Sequence, residues 1–184
     1  MLILASKSPR RKEIMEKLRL EFVCVSKECE ESIPEGTPPE RAVILLANRK
    51  AEAVFSDYTD ATVIGADTVV FQGGKYLTKP KDRTDAYNML RALSDKTHSV
   101  YTGVCIKNDK KCVAFYNKTD VTFSHLSDED INEYLDTGEP FDKAGAYGIQ
   151  GFGCKFVKCI NGDFYSVMGL PAQMLAEQLK NFDY

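Results

Sequence analysis

The sequence predicts a single α/β domain, a mixed β-sheet flanked by helices and arranged as two lobes about a central cleft. Three observations predict it. Apolar, β-branched runs of strand length alternate with amphipathic helical stretches along most of the chain. Between them lie extended segments joined by short polar or glycine turns, which insert hairpins into an otherwise parallel pattern. The 184 residues hold no internal repeat, low-complexity tract or linker. One domain over 1–184 therefore suffices, and a chain of this size buries roughly 70% of its unfolded surface.

The elements follow in order. Leu2 to Ala5 is unbroken apolar sequence, as expected of a strand covered on both faces. Ser8-Pro9 supplies an N-cap and a first-turn proline, and Ile14, Met15 and Leu18 follow at helical spacing. A short strand around Phe22 to Val25 precedes an acidic loop, Glu28 to Gly36. Thr37 and Glu40 have the spacing of a capping box, opening a helix through Val43, Ala47, Lys50 and Val54 that ends near Ser56. Thr62 to Phe71 reads as a central strand turning at Gly73-Gly74 into a hairpin partner. Asp82 to Leu93 is helical, and Ser99 to Lys107 and Val113 to Phe123 are long extended segments joined at Asn108-Asp109. Ser127 opens a strongly capped helix that Gly138 closes. A glycine-rich stretch, Ala144 to Gly153, leads into a hairpin expected at Asn161-Gly162, and Pro171 begins a last helix through Leu179.

Composition narrows the function. The 43% hydrophobic and 28% charged fractions are those of an ordinary globular protein. A net charge of −3 argues against a nucleic-acid partner but not against a small polyanion, which responds to the local field. The six cysteines include no Cys-x-x-Cys pair and have only His98 and His125 to complement them, so a structural zinc site is not expected. With no secretion signal and no membrane-length apolar stretch, the expectation is a cytoplasmic protein with reduced thiols, several of them buried in strands.

Ser6-Lys7-Ser8-Pro9-Arg10-Arg11 lies between a strand and a helix. Free N–H groups, hydroxyls and two guanidinium forks at such a point suit phosphate, although a capped helix with solvated arginines accounts for it equally well. Gly74-Lys75 is followed by Tyr76 and so is not a Walker motif, and Gly148, Gly151 and Gly153 lack the order of a dinucleotide fingerprint. Asp67 follows Val63-Ile64-Gly65-Ala66, on or near the end of a buried strand, where the small residues would admit a ligand or metal. A carboxylate in such a core needs a partner, but alone it reads as readily as a turn cap with Thr68. Glu30, Glu31, Lys50, Lys79 and Gln150 are individually unremarkable, and His98 and His125 read as structural or surface groups.

The combination is more specific. Leu-Ala-Ser-x-Ser-Pro-Arg-Arg (4–11), Glu-Ser (31–32), Lys-Ala (50–51), Gly-Ala-Asp-Thr (65–68), Lys-Pro (79–80), His-Ser-Val-Tyr-Thr-Gly-Val (98–104), Lys-Ala-Gly-Ala-Tyr-Gly-Ile-Gln-Gly (143–151), Gly162-Asp163 and Gly169-Leu170-Pro171 occur in order along the chain. This set resembles the Maf family of nucleotide pyrophosphatases. The resemblance implies an inosine-triphosphatase-like architecture and hydrolysis of nucleoside triphosphates to the monophosphate and pyrophosphate. It further implies Asp67 as general base, Glu31 and Asp67 as holders of a divalent cation (Mg, Mn or Co), and Ser6, Arg10, Arg11, Lys50 and Lys79 as triphosphate ligands. Arg10, Thr68 and Gln150 become the positions of substrate selectivity, and the glutamine resembles the branch acting on dTTP and UTP. A homodimer is compatible with the family, as are two other readings: a 7-methyl-GTP or broader modified-nucleotide pyrophosphatase, and a non-catalytic nucleotide-binding regulator of cell division. This chain departs from the family in having Glu30 where Asp is frequent and Ser166 where Asn is common.

Overall fold

In a computed structural model, residues 1–184 are all described. The strands are β1 (Leu2–Leu4), β2 (Val23–Cys24), β3 (Thr62–Gln72), β4 (Lys75–Leu77), β5 (Thr97–Lys107), β6 (Cys112–Phe123) and β7 (Val157–Asn161). The helices are α1 (Pro9–Lys17), α2 (Pro39–Phe55), α3 (Arg83–Leu93), α4 (Asp128–Asp136), α5 (Phe164–Met168) and α6 (Ala172–Leu179). One seven-stranded sheet runs β2-β1-β3-β5-β6-β7, with β4 paired to β3. It is mixed, as expected. β1 pairs in parallel with β2 and β3, whereas β4 on β3 and β7 on β6 are antiparallel.

The chain divides into two compact units, and β3, β5 and β6 contribute residues to both. The first comprises 1–68, 102–117 and 169–184. Its core joins Ile3, Ala5, Ala47, Ala51, Val54, Ala61, Val63 and Cys105. Two glycines decide how α2 lies on it. A Cβ on Gly65 would stand 2.2 Å from Ala47 O and 2.6 Å from Ala51 N, and one on Gly103 would stand 2.4 Å from Val43 O. Bare backbone at these two strand positions lets α2 settle directly on the sheet. Val43, Ala47, Lys50 and Val54 share a helix face, so the same packing carries Lys50 to β3.

The second unit comprises 69–101 and 118–168. Its core gathers α3, α4 and the long strands around Leu90, Leu93, Phe123, Ile131, Tyr134, Tyr147 and Phe156. His98 is buried in that cluster at 2% exposure, edge-on to Phe123 and Tyr147, with its Nε2 2.8 Å from the Tyr147 hydroxyl. Burial, opposed only by the charge of Asp120, depresses its pKa from 6.5 to about 4. The folded state therefore holds His98 neutral where the unfolded chain takes up a proton. Stability is complete above pH 6.5 and falls as pH drops towards 4, by about 3 kcal/mol in all. Urea titrations between pH 7 and 4.5 are expected to show this loss, and His98→Gln is expected to flatten it. An equal slope in both proteins would remove His98 as its source.

Four local expectations are corrected. The capping box at Thr37 does not form. Pro38 is the N-cap of α2, without a side-chain cap, and the Thr37 hydroxyl donates to Pro34 O at 2.7 Å. The double proline places Thr37 one residue too early, and Pro39 has no N–H to offer. Asn161-Gly162 is not a hairpin tip. The strand before it pairs with β6, and the chain after it enters α5 because Asp163 accepts from the N–H groups of Tyr165 and Ser166 and from the Ser166 hydroxyl. Only Cys105 of the six free cysteines is buried. The small residue Gly65 makes room for α2 rather than for a ligand.

Candidate active site

Strand alternation puts Val63, Gly65 and Asp67 on the face of β3 that meets α2, and Ile64, Ala66 and Thr68 on the other. Asp67 is the sixth of eleven residues in β3, not at its end, so the turn-cap reading is excluded. Its carboxylate is hydrogen-bonded and ion-paired to Lys50 Nζ. Glu31 reaches the same ammonium from the loop before α2, with Oε1 at 2.8 Å. Both members of the inner pair are largely withdrawn from water, with side chains 18% and 15% exposed for Lys50 and Asp67. Burial works against the Lys50 ammonium, but the charge and hydrogen bond of Asp67, with the hydrogen bond to Glu31, outweigh it and hold its pKa above the ordinary value. Lys50 is thus a fixed cation between two carboxylates.

Arg49, the neighbour of Lys50, ties the acidic loop to α2. It donates to Ser32 O at 2.7 Å and to Glu30 O at 3.2 Å and pairs with the Glu30 carboxylate at 3.1 Å. Glu31 therefore lies between residues whose backbone carbonyls are anchored. Glu30 thus supplies a carboxylate to this tie.

The other face of β3 carries the basic turn. Ser8 caps α1, accepting from Arg11 N, with Pro9 at the first helical position, as the sequence indicated. Arg11 points back from that helix and spends three N–H groups within the unit. Nε donates to Gly169 O at 2.8 Å, Nη1 to Ser6 Oγ at 3.4 Å and Nη2 to Thr68 Oγ1 at 3.2 Å. The Ser6 hydroxyl also accepts from Ser8 N, at 3.1 Å. Burial pulls the Arg11 pKa below its usual value, opposed by the charges of Asp67 and Glu31 and aided by that of Arg10. It remains a guanidinium throughout the physiological range. The first unit thus brings together Ser6, Arg11, Glu31, Lys50, Asp67 and Thr68, with Arg10 near enough for its charge to act on Arg11.

Lys79 and Gln150 belong to the second unit, and both are exposed. Lys79 lies between β4 and α3, beside the buried Pro80. Gly145 N donates to Thr78 O at 3.2 Å, which ties the segment of Lys79 to the glycine-rich segment that contains Gln150.

Sequence reasoning missed the supports. Thr102, wholly buried on β5, shares a 2.9 Å hydrogen bond with Thr68 and fixes its hydroxyl. Gly169 contributes its carbonyl to Arg11. Both sit in blocks that carry the family resemblance, 98–104 and 169–171, but nothing in residue type distinguishes a support from packing.

A hard divalent cation can be tested against the residues present. No three His, Cys, Asp or Glu groups gather anywhere in the chain as a metal site. Two carboxylates converging on one point, Glu31 and Asp67 at Lys50 Nζ, remain. That donor set fits a cation of the magnesium type, which binds through one or two carboxylates and takes its other ligands from water and substrate phosphates.

The fold is that of a HAM1 protein from Coxiella burnetii, with a TM-score of 0.53 and 15% identity, covering 98% of each chain. The chain belongs to the family described as Maf-like protein, matched over residues 1–182. A relative from Bacillus cytotoxicus, 50% identical over 181 residues and matched across 98% of this chain and 95% of its own, is named dTTP/UTP pyrophosphatase. Relatives from Bacillus cereus (50% identical) and Bacillus mycoides (49%), each matched across 99% of this chain and 95% of their own, carry the same name. No helix is long and apolar enough to cross a membrane.

Proposed function

We propose that this chain hydrolyses nucleoside triphosphates, dTTP and UTP foremost, at the α–β phosphoanhydride bond, giving the monophosphate and pyrophosphate, with Asp67 as general base. The observation that carries the reading is the Asp67–Lys50–Glu31 cluster on β3, beside the Ser6–Arg11–Thr68 network. The Asp67 carboxylate is paired with the Lys50 ammonium. Arriving phosphate oxygens compete for the ammonium, and the released Asp67 oxygen then accepts the proton of an attacking water. The P–O bond to the bridging oxygen breaks as the new P–O bond forms, and pyrophosphate leaves. Arg10, Arg11, Ser6 and Lys79 neutralise and orient the phosphates. Glu31 and Asp67 would hold the divalent cation (Mg, Mn or Co), which when bound spreads the negative charge of the triphosphate.

Gln150 supports the pyrimidine preference. An amide both donates and accepts, and so matches the donor and acceptor of a thymine or uracil edge. Arg10 and Thr68 are the other candidate selectivity positions. Pyrophosphate release from dTTP, UTP, CTP and 7-methyl-GTP tests the reading. The expected result is dTTP and UTP well ahead of the others. Faster cleavage of 7-methyl-GTP would overturn the pyrimidine assignment. Orthophosphate as the first product, or binding with no turnover, would overturn the activity.

A further inference from the structure

The glycine-rich segment is held by a polar device that the proposed chemistry does not use. Tyr134 on α4 is 1% exposed, and its hydroxyl donates to Glu139 Oε1 at 2.8 Å while accepting from Gly148 N at 3.0 Å. The other carboxylate oxygen, Glu139 Oε2, accepts from Phe152 N at 2.8 Å, and Gly153 N donates to Oε1 at 3.4 Å. One carboxylate and one phenol thus fix the backbone on both sides of Gln150. Tyr147, just before Gly148, is pinned as well, since its hydroxyl lies 2.8 Å from His98 Nε2.

The glycines are what this device requires. A Cβ on Gly151 would stand 2.2 Å from Glu139 Oε2, and one on Gly148 would meet Lys143 Cε at 2.7 Å and Glu139 Oε1 at 2.9 Å. A Cβ on Gly153 would stand 2.7 Å from Gly148 O and 2.8 Å from the Tyr134 hydroxyl. At Gly148 and Gly151 the backbone is pressed against the carboxylate, and at Gly153 against the phenol. Glu139 is itself set by Gly138, whose left-handed φ of 75° turns the chain after α4, and by Lys143 Nζ donating to Glu139 O at 2.6 Å. Burial, with the bond to Glu139, pushes the Tyr134 phenol above its ordinary pKa, so the donor proton stays in place at physiological pH.

We propose that Glu139, with Tyr134, is a positioning residue for substrate selectivity: it touches no substrate but fixes the backbone that presents Gln150 to the base. This rests on the reading of Gln150 given above. Two-point anchoring of a short loop by a carboxylate is a means of holding a specificity group without placing that group on a helix or strand.

The test compares Glu139→Gln with Gln150→Ala in the full chain. A glutamine keeps the shape but presents an NH₂ to a donor on one side, so the loop loses an anchor. Amide exchange at 148–153 is expected to quicken at least about tenfold with the rest of the chain unchanged. KM for dTTP is expected to rise about tenfold, kcat to stay within about threefold, and the dTTP-to-CTP ratio of kcat/KM to fall as in Gln150→Ala. Unchanged exchange at 148–153 overturns the proposal whatever the kinetics. Faster exchange with selectivity intact, where Gln150→Ala loses it, also overturns it. Should Gln150→Ala itself keep full selectivity, the base-reading role falls, and the exchange data alone decide whether Glu139 holds the loop. If Glu139→Gln does not fold, Tyr134→Phe removes the Gly148 anchor and is read by the same measures.

Discussion

Asp67→Asn is expected to lower turnover by about 10²–10⁴ while leaving nucleotide affinity equal or tighter. The substitution is isosteric, and Lys50 keeps a partner in Glu31 at 2.8 Å, so the fold has no reason to fail. What is lost is the only carboxylate held on the central strand at this cluster, and with it the acceptor for the water's proton. One negative charge is also removed from a site that receives a polyanion, which favours binding. Single-turnover kinetics, with a binding titration in parallel, separate the two effects. Unchanged turnover in a folded variant would take Asp67 out of the mechanism.

The companion variant Glu31→Gln divides the duties of the two carboxylates. If Glu31 serves only to hold the divalent cation, its activity recovers as the cation concentration is raised. Asp67→Asn does not recover, because no concentration of cation replaces a base. Equal recovery in both would assign Asp67 to cation binding alone. The structure bears on this asymmetry. Asp67 is fixed on a strand and 15% exposed, whereas Glu31 stands on a loop at 65% exposure, steadied through Arg49. A proton acceptor needs fixed geometry.

Much of this was legible in the sequence, and the residues show where legibility ends. The Ser8-Pro9 start of α1, the Gly73-Gly74 hairpin and the Ser127 cap were readable because each is settled by atoms within four residues. The capping box at Thr37 failed for the same local reason, since a second proline changed which residue could cap. Asp67 could not be separated from a turn cap by its neighbours alone, because its partner Lys50 is seventeen residues away and meets it only through packing of α2 on β3. Supports such as Thr102 and Glu139 were invisible for a related reason. Their side chains act on Thr68 and on the backbone at 152 and 153, and no pattern in residue type encodes an acceptor for a distant N–H.

Gly65 is where that packing is most exposed to failure. Gly65→Ala is expected to destabilise the protein by about 3 kcal/mol or more, at the upper end of overpacking effects, as measured by urea denaturation. The closest atoms to the new methyl are backbone, Ala47 O at 2.2 Å and Ala51 N at 2.6 Å, so no rotamer change relieves them. Trimming the third contact by Ala51→Gly is therefore not expected to rescue it. Only a shift of α2 away from the sheet does, and that shift carries Lys50 away from Asp67, so the remaining folded enzyme should also lose turnover. Gly103→Ala meets Val43 O at 2.4 Å and Val43 C at 2.5 Å on the same helix. One displacement of α2 relieves both clashes, so the double variant should cost clearly less than the sum of the singles. Strict additivity would mean that the two glycines accommodate α2 independently, and that the helix does not move as a body to set the geometry of Lys50.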